Sequence, residues 1–242
     1  MTAQSYWRET RAPRYSLLFA LPLLLGYEAL AFALARPDGT GVRNGADVIL
    51  KTAFVSLLGD RGPLVFELVL IGVGVALVAR DLKRNGGPLS KGVFAFMLGE
   101  AALLALVCGV VVGGVTSRIV GATGLVLGGV AGAAWPTRLM LSLGAGLYEE
   151  LLFRVILVGA IAYAGRRVLG LRPAVAGAIA VIAGALAFST LHYLGPYGDR
   201  LAFDSFLFRA LAGVFFSALY LLRGFGITAW THALYDVFLT LG

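Results

Sequence analysis

The stretch Leu147–Arg154 reads Leu-Tyr-Glu-Glu-Leu-Leu-Phe-Arg, and it lies inside an apolar run from about residue 139 to residue 164. That run is long enough to cross a bilayer, which takes roughly 20 helical residues. Charged side chains at such depth are costly, so they are expected to face the protein interior and to be paired. Glu150 and Arg154 are four residues apart and share a helical face, whereas Glu149 is rotated about 100° away without a local partner. A lone buried carboxylate suits a general base or acid.

The composition is that of an integral membrane protein. Hydrophobic residues make up 59% of the 242 residues, the mean hydropathy is +0.88, and the 33 glycines allow apolar helices to approach closely. The net charge of +7 does not indicate a nucleic-acid partner, because the basic residues cluster in short loops between apolar runs. We therefore expect the lipid bilayer to surround one membrane domain over residues 1–242, with a motif-bearing core at about residues 137–242.

The apolar runs predict an all-α, polytopic transmembrane helix bundle with about seven spans. These predicted helices 1 to 7 cover approximately residues 16–35, 64–79, 92–115, 136–165, 173–194, 205–222 and 225–241. Segment 47–58 contains Lys51 and is short for a span, so it is interpreted as an interfacial or re-entrant helix, and the count becomes eight if it crosses the bilayer. The glycine-rich residues 121–134 predict a loop or a poorly defined helix. The distribution of basic residues favours a multi-pass protein of the cell membrane with a cytoplasmic N-terminus.

Both histidines of the chain lie in apolar segments. His192 is near the end of predicted helix 5, and His232 is inside helix 7, where Asp236 shares its helical face. With Glu149 on helix 4, these residues suit water activation, because Glu149 can take a proton from a water held against His192. His232 and Asp236 can then support the oxyanion that forms when the water attacks an amide carbonyl. The predicted active site is therefore formed by helices 4, 5 and 7, without a serine or cysteine nucleophile.

Three spaced motifs on these helices resemble a known protein family. The motifs are Glu149-Glu150-x-x-x-Arg154, Phe188-x-x-x-His192 and His232-x-x-x-Asp236. In this order they resemble the CAAX protease and bacteriocin-processing family (CPBP, or Abi) of intramembrane endopeptidases. The resemblance implies a glutamic-type peptide hydrolase that needs no cofactor and cleaves a membrane-associated protein or peptide.

The resemblance also implies a role for each motif residue. It gives three functional pairs, namely the water-activating Glu149 and His192, the oxyanion-binding His232 and Asp236, and the supporting Glu150 and Arg154. The family often has asparagine at the position of Asp236, and an ionised aspartate would oppose an oxyanion. Asp236 is therefore expected either to be protonated or to orient His232.

Two alternative functions use the same or similar residues. Glu149, His192 and His232 form a His₂Glu set of the kind found in zinc-dependent proteases, although the chain has no H-E-x-x-H helix. In a non-catalytic immunity or scaffold protein, the charges at residues 149–154 would serve only as a helix-packing clamp.

A proton-coupled transporter is a third alternative. Glu28, Glu67 and Glu100 lie in apolar runs and, with Arg209 in helix 6, they can form either a proton relay or interhelical ion pairs. Because none of them belongs to a motif, structural pairing is the favoured interpretation.

Overall fold

The computed structural model describes residues 2–36, 41–121, 132–195 and 198–241, and these residues form helices and connecting turns without a strand. The prediction of an all-α, polytopic helix bundle is confirmed. The helices are α1 (Ala3–Thr10), α2 (Pro13–Ala33), α3 (Gly45–Leu58), α4 (Gly62–Asn85), α5 (Lys91–Val120), α6 (Trp135–Gly144), a π-helical segment (Ala145–Val158), α7 (Gly159–Arg167), α8 (Pro173–Leu191), α9 (Phe203–Arg223) and α10 (Phe225–Leu241).

Five helical runs in the described residues are long and apolar enough to cross a membrane. They are Pro13–Ala33, Gly45–Asn85, Lys91–Val120, Pro173–Leu191 and Phe203–Arg223. The other two predicted spans correspond to the run from α6 through the π-helical segment to α7, which has no break, and to α10. The chain is therefore an integral membrane protein, and the count of seven spans stays a prediction.

The segment interpreted as interfacial or re-entrant forms α3, which packs against α4 as a helical hairpin. The two helices are joined by the 3₁₀ turn Gly59–Arg61. Its 14 residues make α3 about 21 Å long, shorter than the hydrocarbon core of roughly 30 Å. The rings of Phe54 and Phe66 meet edge to face with centroids 5.4 Å apart.

Several helix ends differ from the prediction. Helices α4 and α5 continue to Asn85 and Val120, because the polar residues that follow each apolar run are also helical. Helix α8 ends at Leu191 instead of near residue 194, so His192 follows the helix as its C-cap. The polar residues before the first span form the short helix α1. The predicted loop at residues 121–134 lies largely outside the described residues.

Helix α10 has a central position in the bundle. It packs against α2, α5, α6, α9 and the π-helical segment. A Cβ at Gly146 would contact the carbonyl oxygen of Ala229 and would lie 2.7 Å from the Cβ of Ala233. Gly146 therefore lets the backbones of α10 and the π-helical segment approach closely, as small residues do in membrane helix packing.

Ion pairs connect several helices inside the bundle. Glu100 on α5 accepts hydrogen bonds from Nε of Arg223 at 2.6 Å and from the Tyr6 hydroxyl at 2.7 Å. Arg209 on α9 pairs with Asp199, in the loop after α8, instead of with one of the glutamates considered from the sequence. Arg223 thus links α9 to α5, and Arg209 links α9 to the loop after α8.

A second group of charges surrounds Lys51 on α3. Its ammonium Nζ lies 2.7 Å from Asp47, 2.8 Å from Glu67 and 3.1 Å from Glu28, and we call these four residues the Lys51 cluster. Arg43 also contacts Glu28 and Asp47, at 3.1 and 3.2 Å. Together with the Glu100 pair, these contacts give each of the three glutamates a cationic partner, as the structural interpretation predicted.

Candidate active site

The two adjacent glutamates lie on the π-helical segment Ala145–Val158. Such i→i+5 hydrogen bonding is rare in proteins and is frequent at functional sites. Glu150 is completely buried, whereas the side chain of Glu149 keeps 13% of its surface exposed. The consecutive carboxylates therefore have different environments, with Glu150 inside the bundle and Glu149 at its accessible side.

Glu150 joins the π-helical segment to α10 and to Arg154. Its Oε1 accepts a hydrogen bond from Nδ1 of His232 at 2.6 Å and lies 3.2 Å from Nη1 of Arg154. Both Glu150 and Arg154 are 0% exposed, and His232 is 4% exposed. The guanidinium of Arg154 also lies over the ring of Phe188, 4.5 Å from its centroid, which is favourable for a desolvated cation.

The second ring nitrogen of His232 faces two other carboxylates. Its Nε2 lies 4.0 Å from Oε2 of Glu149 and 3.8 Å from Oδ2 of Asp236. Both distances are too long for hydrogen bonds. The imidazole stacks on the ring of Phe216, with centroids 4.3 Å apart and planes at 17°. His232 is thus held by Glu150 and Phe216, and its Nε2 remains available.

His192 packs edge to face against Phe188, the ring that also contacts the guanidinium of Arg154. Its Nδ1 donates to the carbonyl oxygen of Phe188 at 2.8 Å, which leaves Nε2 as the free ring nitrogen. The Phe188 ring is 4.8 Å from the His192 ring and 6.1 Å from the His232 ring. The structure therefore brings together the motif residues of predicted helices 4, 5 and 7.

Asn44 is a member of this site that sequence reasoning missed. Its Nδ2 donates to Oε1 of Glu149 at 2.8 Å. Glu149 indeed has no local partner on its own helix, and its partner comes from the residue that precedes α3. No motif or periodicity singles out Asn44, because only the tertiary fold brings it to Glu149.

The zinc alternative requires Glu149 and the two histidines to converge on one ion. Zinc bonds are about 2.0–2.2 Å long, so two donor atoms of one ion are at most roughly 4.4 Å apart. In the part of the chain that the structure describes, the one group of three possible ligands with all donors within 4.8 Å is Glu28, Asp47 and Glu67. The ammonium of Lys51 contacts all three of those carboxylates. The candidate site residues therefore do not fit a shared zinc ion in this arrangement.

Comparison with known proteins identifies the segment that carries the site. Residues 130–238 match a family model described as type II CAAX prenyl endopeptidase Rce1-like. No curated protein and no solved structure matches the chain. The matched residues contain all three motifs, which supports a membrane endopeptidase acting on membrane-associated proteins. The match at residues 130–238, the part of the chain that carries the candidate active site, therefore supports the CAAX protease family.

Proposed function

We propose that this membrane endopeptidase is a glutamic-type enzyme, in which Glu149 and His192 activate a water molecule that attacks a peptide carbonyl directly. The substrate is a membrane-associated protein or peptide. The observation that carries the proposal is the arrangement of Glu149, whose Oε1 is bound by Asn44 while Oε2 faces Nε2 of His232 at 4.0 Å. One oxygen of the carboxylate is anchored and the other is available for proton transfer.

Water activation uses the free nitrogen of His192 and the free oxygen of Glu149. Because Nδ1 of His192 donates to Phe188, its Nε2 can accept one hydrogen of the water. Glu149 accepts the other hydrogen and takes that proton as the water oxygen bonds to the carbonyl carbon. No covalent bond between enzyme and substrate forms in this step.

The oxyanion is the next species that needs support. The Nε2 of His232 can donate to it only when the imidazole carries both protons, because Nδ1 already donates to Glu150. The buried Glu150 carboxylate stabilises this cationic form, and Arg154 balances the charge of Glu150. A donor fixed in this way before the reaction is effective, because no reorganisation is needed as charge develops.

Asp236 is assigned the second donor position. The two roles left open by the sequence were orientation of His232 and donation from a protonated carboxyl group. Glu150 already orients His232 through Nδ1, and Asp236 lies 3.8 Å from Nε2, beyond hydrogen-bond distance. Protonated Asp236 therefore donates to the oxyanion. When the C–N bond breaks, the proton held by Glu149 passes to the leaving amine.

The proposal is tested by cleavage of defined membrane peptides by the full-length protein in detergent or liposomes. The panel contains prenylated C-terminal peptides, the same peptides without the prenyl group, and single-span helical peptides. Wild type is compared with Glu149→Gln, His192→Gln and the exposed-site control Asp60→Asn. Bound metal and the effect of a chelator are measured on the same samples.

We expect wild type and Asp60→Asn to cleave at least one peptide in the presence of chelator, and both site variants to be inactive. Loss of cleavage on chelation with recovery on adding zinc would overturn the metal-free mechanism. Equal cleavage by Glu149→Gln and wild type would overturn the assignment of the general base.

We further propose that the protein lies in the cell membrane with its N-terminus in the cytoplasm. The support is the concentration of basic residues before α2 and in the last turns of α4. The test introduces a single cysteine at Arg8 or at Arg84 in a Cys108→Ala background. If this orientation is correct, a thiol reagent added outside intact cells should label neither cysteine. Labelling of either position from outside would contradict it.

A further inference from the structure

We propose that Asn44 is a positioning residue that holds the Glu149 carboxylate in the orientation needed for water activation. The inference rests on the function proposed above and extends it to α3, which lies outside the residues matched by the family model. Asn44 is 5% exposed, and its Nδ2 donates to Oε1 of Glu149 at 2.8 Å. It is not itself placed to contact the reacting atoms.

The orientation of the Asn44 amide is determined by its other hydrogen bonds. Its Oδ1 accepts from the backbone N–H of Ala46 at 2.9 Å, as expected of an asparagine at the N-cap of α3. With the oxygen used in this way, the NH₂ group must point toward Glu149. The backbone N–H of Asn44 donates to the hydroxyl of Tyr27 at 3.1 Å, and that hydroxyl donates to Asp47 at 2.8 Å. Hydrogen bonds therefore hold both the backbone and the side chain of Asn44.

The Lys51 cluster also contacts the residue that precedes Glu149. The hydroxyl of Tyr148, the residue before Glu149, lies 2.9 Å from Glu28 and 3.0 Å from Glu67. Both glutamates bind the ammonium of Lys51. The cluster thus contacts Tyr148 directly and reaches Asn44 through Asp47 and Tyr27.

Gly144 permits the close approach on which this arrangement depends. A Cβ at Gly144 would lie 2.9 Å from the Cβ of Asn44 and 2.5 Å from Cε2 of Tyr27. Any larger residue would push α3 away from the π-helical segment. The contact between Asn44 and Glu149 is therefore supported by side-chain bonding and by backbone packing.

The consequence for catalysis is a carboxylate whose two oxygens are not equivalent. Oε1 is bound by a neutral donor, and Oε2 is left on the side of His232. Without the amide, the Glu149 side chain can rotate and both oxygens can leave the attack geometry. Misplacement of a catalytic group by about 1 Å can lower a rate by about 100-fold.

Two variants separate positioning of Glu149 from capping of α3. Asparagine, aspartate and serine are comparably good N-caps, so Asn44→Asp and Asn44→Ser keep the cap of the helix. The first puts a carboxylate against Glu149, and the second removes the donor. The matched control is Asn85→Asp, because Nδ2 of Asn85 donates to Asp81 at 2.7 Å in the same kind of contact at the far end of α4.

The variants are compared by melting temperature, by kcat and KM, and by isotope-edited infrared spectra. The difference between wild type and Glu149→Gln defines the carboxylate bands of Glu149 without any substrate. We expect Asn44→Asp to lower kcat about 100-fold and Asn44→Ser about 10-fold, with KM changed less than about 3-fold. The Glu149 bands should shift in both variants but not in Asn85→Asp. Asn44→Ser should retain the wild-type melting temperature, whereas Asn44→Asp and Asn85→Asp should lower it to a similar extent, because each puts two carboxylates in contact.

Wild-type kcat in both Asn44 variants, or unchanged Glu149 bands in them, would overturn the proposal. A fall in melting temperature that accounts for the whole loss of activity would reduce Asn44 to a helix cap and would also overturn it. If wild type cleaves no peptide, the proposed function fails, while the infrared bands still decide whether Asn44 holds Glu149.

Discussion

Oε1 of Glu150 lies 2.6 Å from Nδ1 of His232, and this contact fixes which nitrogen of the imidazole faces the accessible side of the site. The carboxylate accepts a hydrogen bond from Nδ1–H, so Nε2 is directed toward Glu149 and Asp236. Because Arg154 lies against the same oxygen of Glu150, the charge of the carboxylate is balanced inside the protein. The second glutamate of the motif thus supports a histidine on another helix as well as the arginine four residues later.

Breaking the Glu150–Arg154 pair should destabilise the protein and stop cleavage. Glu150→Gln leaves the guanidinium of the fully buried Arg154 without a counter-charge, which costs roughly 3–5 kcal/mol of unfolding free energy. Arg154→Met leaves the imidazolium of His232 as a partner of Glu150, so its cost should be smaller than that of Glu150→Gln. The measurements are thermal unfolding in one detergent and the rate of peptide cleavage.

The double variant Glu150→Leu with Arg154→Met distinguishes stability from function. Replacing a buried ion pair by apolar side chains is often neutral or stabilising, so the melting temperature should return toward that of wild type. Cleavage should stay absent, because His232 has lost its acceptor. Recovery of cleavage in the double variant would refute the role given to Glu150.

Substitution of Gly146 should separate α10 from the π-helical segment. Gly146→Ala places a methyl group against Ala229 and Ala233, and overpacking of this kind costs about 1–3 kcal/mol. The shift also moves His232 away from Glu150. The cleavage rate should therefore fall further than the loss of folded protein alone would explain. The control is Gly72→Ala on α4, where a Cβ meets no atom within 4 Å. A wild-type melting temperature and cleavage rate in Gly146→Ala would contradict the close packing.

Replacement of Asp236 tests the donor role. Asp236→Asn keeps a donor at the same place and should retain cleavage within about 10-fold of wild type, whereas Asp236→Ala should lose roughly 100- to 1,000-fold in kcat. Both are measured as kcat and KM on one peptide. Comparable loss in the two variants would show that Asp236 must accept a proton or carry a charge.

Glu100 distinguishes the protease from the transporter alternative. Glu100→Gln weakens the pair with Arg223 and should lower the melting temperature, because Arg223 is 2% exposed and would lose its charged partner. The cleavage rate of the folded fraction should stay at the wild-type value. Substrate-driven proton flux in liposomes that disappears in Glu100→Gln and persists in Glu149→Gln would instead favour a transporter.

The sequence predicted the parts of the site that depend on local periodicity. Residues four apart share a helical face, so the pairs Glu150–Arg154 and His232–Asp236 were recognisable without a structure. The same reasoning identified Glu149 as a carboxylate without a local partner. Charges in apolar segments were equally visible, because they must be paired or functional wherever the fold takes them.

Contacts between distant segments were not predictable in the same way. Asn44 is 105 residues before Glu149, and nothing in its polar loop indicates the contact. The sequence placed Lys51 in a short helix without revealing that three carboxylates meet its ammonium. The end of α8 was also misplaced, because the turn signal Gly195-Pro196 lies a few residues beyond Leu191, where the helix stops.

The most direct test of the account is the initial rate of cleavage by Glu149→Gln compared with Asp60→Asn, in liposomes and in the presence of a metal chelator. Both variants remove one carboxylate charge, and Asp60 is exposed in the turn between α3 and α4. We expect a wild-type rate for Asp60→Asn and no detectable cleavage by Glu149→Gln at an unchanged melting temperature. A Glu149→Gln protein that cleaves at the wild-type rate would contradict the central claim that Glu149 activates the attacking water.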